Sequence, residues 1–391
     1  MSLRVAMLLE NNSYPGDVRV RNEAEALTRA GHRVTVIAPR GEGEPAREEV
    51  GGVRVRRFRL PETPDTVAGI AAEYAIAHVQ LYARGAVELL RGADVVHLHN
   101  PPDTLFGVAL LARALGRRAV FDHHDLGPEL FEAKFGGRES RLVAALRAAQ
   151  RASVRSADLA IATNESQREL LERLGRGRTT VAVVRNGPRA ATIAQATPAR
   201  GGALENPRLA FLGTLGAQDG VDRLPELMRS LTGDHGMPRA TLTVIGDGPR
   251  RAPLAAAFRE LGLQDRVRLL GWVPHSEVPP LLGEADICLD PAEPTPLNHG
   301  STMIKVAEYI AARRPLVAHA LTETRRTAGK AALYVEDGGG AAFAEQVARL
   351  ARDPGLRERL AERAAQRAPE LVWERSEERL LAAYAALDRR R

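Results

Sequence analysis

The 391-residue sequence is poor in cysteine, aromatics and lysine, and each shortage excludes something. A single cysteine, Cys288, rules out an internal disulfide framework, so the fold must rest on its core. Cys288 lies in the apolar run Ala-Asp-Ile-Cys-Leu-Asp and reads as a small buried hydrophobe, not a nucleophile. Aromatic residues are 4% of the chain. Nucleic-acid surfaces interleave basic residues with stacking aromatics, so no nucleic-acid partner is expected. Basic residues outnumber acidic ones by 55 to 49, and the only lysines among them are Lys134, Lys305 and Lys330. No apolar run approaches the roughly 20 residues of a membrane span. Leu3–Leu9 is broken by Arg4 and followed by Glu10, unlike a secretion signal. A reducing cytoplasm is the expected setting, extended at most to the inner face of a membrane.

What is present is a soluble globular composition, 44% hydrophobic and 27% charged, on a chain long enough for two cores. Leu3–Leu9 reads as a buried strand, Glu10–Gly16 as a loop, Asp17–Ala30 as a helix stopped by Gly31, and Arg33–Ala38 as the next strand. That unit begins a doubly wound α/β domain, whose ligands bind beyond the carboxyl ends of the strands. Gly16 and Asp17 are therefore candidates for a site edge. Val53–Leu60 alternates apolar residues with arginine and reads as an edge strand with one wet face. Residues 67–91 have helical period. Strands Asp94–Leu98 and Ala119–Asp122 end in His97, His99 and in His123, His124, Asp125. The histidines suggest a metal, but their spacing matches no standard zinc pattern, so none is assigned. Glu139–Ser156 is an amphipathic, arginine-rich helix, either packed on the surface or docked peripherally on a membrane.

Residues 189–207 have no periodicity and read as a linker. The strand Arg208–Leu212 then enters a turn containing Gly213, Thr214, Gly216, Asp219 and Gly220, and strand Ala240–Ile245 enters Gly246-Asp247-Gly248. Glycine-rich turns between strand and helix let phosphate approach backbone amides. Asn298, Gly300, Ser301 and Thr302 look like the start of a helix Met303–Ala312, ended by Arg314–Pro315. That helix is apolar almost all round, yet carries Lys305 and Glu308 three apart on one face. Buried charges need a partner or a ligand. An open helix start beside a lysine suits an anion, and a carboxylate further in can accept hydrogen bonds from sugar hydroxyls. The alternative is a plain Lys305–Glu308 ion pair on a solvated stripe.

The pattern Ser301-Thr302-x-x-Lys305-x-x-Glu308-Tyr309-x-Ala311-x-x-x-Pro315-x-Val317 is similar to the donor-binding helix of family-4 retaining glycosyltransferases of the GT-B fold. The resemblance covers the whole chain in layout and is strongest over 208–335. It implies that Glu308 holds the nucleotide ribose, and that Ser301, Thr302, Met303 and Ile304 meet the diphosphate. Gly213, Thr214, Gly246, Gly248 and a backbone contact from Val273 join them in the nucleotide-sugar site. Gly300 stands at the family's first glutamate, and Asp219 and Thr214 stand where relatives carry basic residues. Lys305 is expected to supply the missing positive charge. Asp122-His123-His124-Asp125-Leu126-Gly127-Pro128-Glu129 resembles the family's strand-end histidine, which assigns His124 to the sugar near the reacting carbon, with Asp125 beside it.

The expected fold is therefore α/β, of the GT-B type, with two Rossmann-like doubly wound domains facing a cleft. An acceptor-side domain would span 1–188, a linker 189–207, a nucleotide-sugar domain 208–370, and a returning helix 371–391. The implied activity is retaining transfer of a sugar from a nucleotide-sugar donor to a carbohydrate, glycolipid or small-molecule acceptor, without metal or cofactor. His124 and Lys305 would be the catalytic residues. A binding-only relative and a sugar-nucleotide epimerase or phosphorylase-like enzyme are the alternatives.

Overall fold

The structure, a computed structural model, describes residues 2–61, 67–135, 141–197 and 200–388. The chain divides into two compact units, Met1–Arg185 with Ser376–Arg391, and Asn186–Arg375. The first unit carries strands β1 (Arg4–Leu8), β2 (Arg33–Pro39), β3 (Arg47–Val50), β4 (Val53–Phe58), β5 (Val95–His99), β6 (Arg118–His123), β7 (Leu159–Ala162) and β8 (Thr180–Val183). They form one sheet in the order β3-β4-β2-β1-β5-β6-β7-β8. The second unit has β9 (Arg208–Leu212), β10 (Thr241–Ile245), β11 (Val267–Gly271), β12 (Ile287–Asp290), β13 (Leu316–His319) and β14 (Ala332–Val335), in the order β11-β10-β9-β12-β13-β14.

Every pairing is parallel except β3 with β4. Parallel strands covered on both faces read as unbroken apolar runs. β1 does so, with Val5, Ala6, Met7 and Leu8 all buried. In β9, Leu209 and Phe211 enter one core and Ala210 and Leu212 the other, so helices cover both faces of that sheet. In each unit the strand order reverses beside the first strand: β1 lies between β2 and β5, and β9 between β10 and β12. Ligand crevices form at such switch points.

The arginine-rich strand differs from its expected place. β4 is not the edge, because β3 pairs with it through the two-residue turn Gly51-Gly52. Both glycines have positive φ, 59° and 80°, as a primed hairpin turn requires. Nor is its arginine face wet throughout. Arg57 is buried, paired with Glu44 and Glu48 and donating to the Tyr14 carbonyl, while Arg56 pairs with Glu88. The helix after β5 spans Phe106–Ala114, and the basic helix covers Arg141–Ser156; Glu139 and Ser140 lie outside the described residues.

The helix Trp373–Asp388 links the units covalently. Its start belongs to the second unit, where the Trp373 amide donates to the Pro188 carbonyl over 2.8 Å. From Ser376 it belongs to the first, where Glu377 pairs with Arg29 and the Tyr384 hydroxyl meets His97 Nδ1 at 2.8 Å. Among the described residues no helix is long and apolar enough to cross a membrane.

Candidate active site

In the second unit the chain leaves β9 through Gly213 and β12 at Asp290, the two sides of the switch point. Gly213 has φ 149°, and a Cβ there would lie 2.9 Å from Lys305 Nζ. At Gly246, φ 134°, a Cβ would lie 1.9 Å from the Gly213 carbonyl oxygen. Only glycine permits both approaches. Four amides of this turn pair are engaged within the unit. Gly213 N donates to Ile245 O (3.0 Å), Leu215 N to Asp247 O (2.9 Å), Gly246 N to Gly271 O (2.9 Å) and Gly248 N to its neighbour Asp247 Oδ1 (2.8 Å). At Gly213 and Gly246 the glycine allows this close packing. Thr214 is exposed beside them.

The central helix spans Ile304–Ala311 and its start differs from expectation. A separate short helix, Pro296–Gly300, precedes it, capped by Thr295 and opened by proline at its first position. Asn298 belongs to that helix and donates to the carbonyls of Gln218 and Glu293. The Ser301 hydroxyl bonds back to Leu297 O at 2.8 Å. Neither caps the longer helix, whose N-cap residue, Met303, makes no side-chain capping bond. Its first-turn amides therefore have no capping side chain, which is the anion-binding end of a helix dipole.

Lys305 and Glu308 are both buried and do not pair with each other. Lys305 Nζ lies 2.5 Å from Asp219 Oδ1, 3.7 Å from Asp290 Oδ1 and 4.6 Å from the Phe211 ring centroid. Burial pushes the Asp290 carboxyl up, and Lys305, with a weaker contribution from the Ala292 amide, opposes it. Asp219 is therefore not a bare negative charge beside the helix opening, because Lys305 neutralises it. Glu308, one turn further in, accepts no hydrogen bond among the described residues, and His275 Nδ1 is 3.8 Å away. Burial pushes its carboxyl up to about 7. Val273 packs against the core beneath the helix, whereas Trp272 is 76% exposed and is not a core residue. The arginines after β13 are committed elsewhere, Arg325 to Glu336 and Arg326 to Glu323.

In the first unit the two histidine clusters converge on Asp122. Arg19 donates to both its oxygens, at 2.7 Å each, His99 Nδ1 lies 3.0 Å away and His124 Nδ1 3.2 Å. Burial alone would raise the Asp122 pKa, but Arg19 and the histidine bonds hold it well below the usual range. For His124, burial opposes the charge and the bond to Asp122 outweighs it, so the pKa is raised. His97 stacks on His99, centroids 4.3 Å apart, and burial and His99 push its pKa well down. Asn100 ties the loops after β5 and β6 together, its Oδ1 accepting from the amides of His124 and Asp125 and its Nδ2 donating to Asp103 and to Asp125 O. Asp17 caps the helix Val18–Arg29 through Val20 N, and Gly16 is exposed beside it.

Glu23, His97, His99 and Asp122 bring four ligand atoms within 4.8 Å of one another. A cation there would have to displace the Arg19 guanidinium from Asp122. Sequence reasoning left Arg19, Glu23, Asp122 and Asp290 unassigned. The signal for Arg19 and Glu23 was two opposite charges four apart on one helix face.

Two family models match the chain: "Glycosyl transferase 4-like domain" over residues 16–187 and "Glycosyl transferases group 1" over 206–353. The alpha-D-kanosaminyltransferase of Streptomyces kanamyceticus is 31% identical over 163 residues, 41% of this chain, and the match spans only 40% of that relative's length. The 2-deoxystreptamine N-acetyl-D-glucosaminyltransferase of Streptomyces fradiae is 26% identical over 290 residues, 71% of this chain and 67% of that protein. Among solved structures, sucrose-phosphate synthase from Thermosynechococcus elongatus aligns over all of both chains, with a TM-score of 0.78 and 18% identity. Anabaena HepE in complex with UDP-glucose aligns over 98% of this chain and all of its own, with a TM-score of 0.71 and 17% identity. These two likenesses carry the fold, which is GT-B.

Proposed function

The chain belongs to the glycosyltransferases with a GT-B fold, and on that premise we propose that it is a retaining enzyme that moves a sugar from a nucleotide-diphosphate sugar to a hydroxyl acceptor. The observation that carries this is Glu308, a buried carboxyl with no hydrogen-bond donor among the described residues, one turn inside a helix whose N-cap residue makes no side-chain capping bond. A nucleoside diphosphate satisfies both features at once. Ribose hydroxyls donate to the carboxylate, and diphosphate oxygens accept from the first-turn amides. HepE, with the same fold, was solved with UDP-glucose, which supports a nucleotide sugar as donor.

In the transfer, the bond from the anomeric carbon to the diphosphate oxygen breaks and a bond from that carbon to the acceptor oxygen forms. The acceptor's hydroxyl proton passes to the departing diphosphate. Charge grows on the diphosphate as it leaves, and preorganised dipoles aimed at it lower the barrier. The amides of Met303 and Ile304 fill that role, with Lys305 as the fixed charge beneath them, its balance set by Asp219 and Asp290. In the first unit, His124, held by Asp122, is the group placed to bond a substrate hydroxyl. Ser301, Thr302, Gly300, Gly213, Thr214, Gly246, Gly248 and Val273 shape the donor side, the glycines through close packing.

Thermal-shift measurements against UDP-, GDP-, dTDP- and ADP-sugars test the donor assignment. One nucleotide class should raise the melting temperature of the parent and not of Glu308→Ala. No shift with any of them defeats the assignment. The anomeric NMR signal of the transferred sugar then tests retention.

A further inference from the structure

The switch point of the first unit holds carboxyl groups that the mechanism does not employ. Glu10 follows β1, Asp103 follows β5 and Asp125 follows β6, three neighbouring strands whose carboxyl ends lie side by side. Glu73 and Tyr74, on the helix Val67–Leu90, are near enough to interact electrostatically, Glu73 with Glu10 and Tyr74 with Glu10, Asp103 and Asp125. The Tyr74 hydroxyl lies within the field of all four carboxyls, and burial, then Glu10, Glu73, Asp125 and Asp103, push its pKa up to about 12. Burial lifts Asp103 to about 6, and Asp125 adds to this while Asn100 and His124 oppose it.

Glu10 sets this group apart from an ordinary acidic surface. It is 4% exposed, yet among the described residues its carboxyl has no hydrogen bond and no ion pair. Burial and the adjacent Glu73 push it up to about 7. A carboxyl taken out of water without a donor is unfavourable unless something else supplies the charge. The chain has 55 basic residues, and elsewhere in this unit they find the buried acids: Arg19 reaches Asp122 and Arg56 reaches Glu88. None reaches Glu10.

We propose that this pocket is the acceptor subsite and that it takes a protonated amine, so the hydroxyl acceptor is an amine-bearing polyol such as an amino sugar or aminocyclitol. This rests on the reading that the first unit receives the acceptor. The ammonium donates to Glu10, with Asp103 and Asp125 beside it, and His124 stands next to Asp125 for a neighbouring hydroxyl. A neutral polyol could donate to Glu10 but would bring no positive charge to the acids around it. A phosphorylated acceptor would meet four acids.

The test is binding of matched pairs to the full chain by saturation-transfer NMR and calorimetry: 2-deoxystreptamine against myo-inositol, and glucosamine against glucose. The amine member of at least one pair should bind about tenfold tighter or more, as a charged hydrogen bond commands, and Glu10→Gln should erase the preference. Glu73→Gln, on a half-buried helical position, should reduce it and serves if the Glu10 variant does not fold. Affinity for the nucleotide sugar that the thermal-shift series selects, measured in parallel, should be the same in the parent and both variants. Failure of the parent to bind any of the four nucleotide classes would count against the donor site and not against this acidic site. Equal binding within both pairs, or a preference that survives Glu10→Gln and Glu73→Gln, overturns the proposal.

Discussion

Replacing Lys305 by methionine removes the ammonium that stands between two carboxylates. Lys305 and Asp219 are each 7% exposed and Asp290 is fully buried. Breaking a buried ion pair from one side costs about 3–5 kcal/mol, because the abandoned charge stays out of water. For a unit of this size each kcal/mol moves the melting temperature by roughly 2–4 °C, so Lys305→Met should melt about 6–20 °C lower at pH 8. Acid should relieve the defect. The Asp290 carboxyl already sits above its ordinary range despite Lys305, and without the ammonium it rises further. A carboxyl held above its unfolded-chain value binds its proton more readily in the folded state. It therefore favours folding at low pH and loses that contribution as pH rises. The gap between variant and parent should narrow from pH 8 to pH 5, and adding Asp219→Asn should recover part of it. Calorimetric melts at both pH values measure this. A melting point within about 2 °C of the parent at pH 8, or a gap that widens in acid, refutes the reasoning. The double variant also separates two roles. If it regains stability but not nucleotide affinity, Lys305 touches the diphosphate; if both return, its work is to neutralise Asp219.

Glu308→Gln should stabilise the unliganded protein while destroying donor affinity. Its carboxyl is raised from 4.5 to about 7 by burial, so the parent gives up roughly 3 kcal/mol by pH 8 that the amide does not. A lower melting point for the variant at pH 8, or unchanged nucleotide affinity, would contradict this. In the parent, nucleotide affinity should climb between pH 6 and 8 as Glu308 ionises, and calorimetry across that range should find the slope absent in the variant. Tyr384→Phe leaves His97 Nδ1 without its partner in a fully buried site. It should cost about 1–3 kcal/mol in urea unfolding, and an unchanged midpoint would show that the bond contributes nothing.

Much of the fold could be read in advance where strands are buried on both faces. β9 was placed to the residue because Pro207 and Gly213 bracket an unbroken apolar run. β3 escaped because Arg-Glu-Glu-Val has neither an apolar run nor alternation, although Gly51-Gly52 ahead of Val53 is itself a hairpin signal. The start of the central helix was misread because Asn298 and Ser301 look like caps, when Thr295-Pro296 had already opened a different helix. Lys305 and Glu308 stood out as charges among apolar neighbours. The partners of Lys305 did not, because Asp219 and Asp290 approach from a turn and a strand end 86 and 15 positions away, and no local spacing encodes that. Glu10 was equally silent: its burial comes from a helix more than 50 positions downstream, with no period or motif linking the two.

The return of the last helix has a consequence for biosynthesis. Chains emerge from the ribosome in order, and compact units generally close as they emerge. Here the half that emerges first must wait for Tyr384, which seals the inner wall where His97 and Glu23 lie. The half lacking that dependence, Asn186–Arg375, can close as soon as it is made. The part synthesised first is therefore the part that matures last.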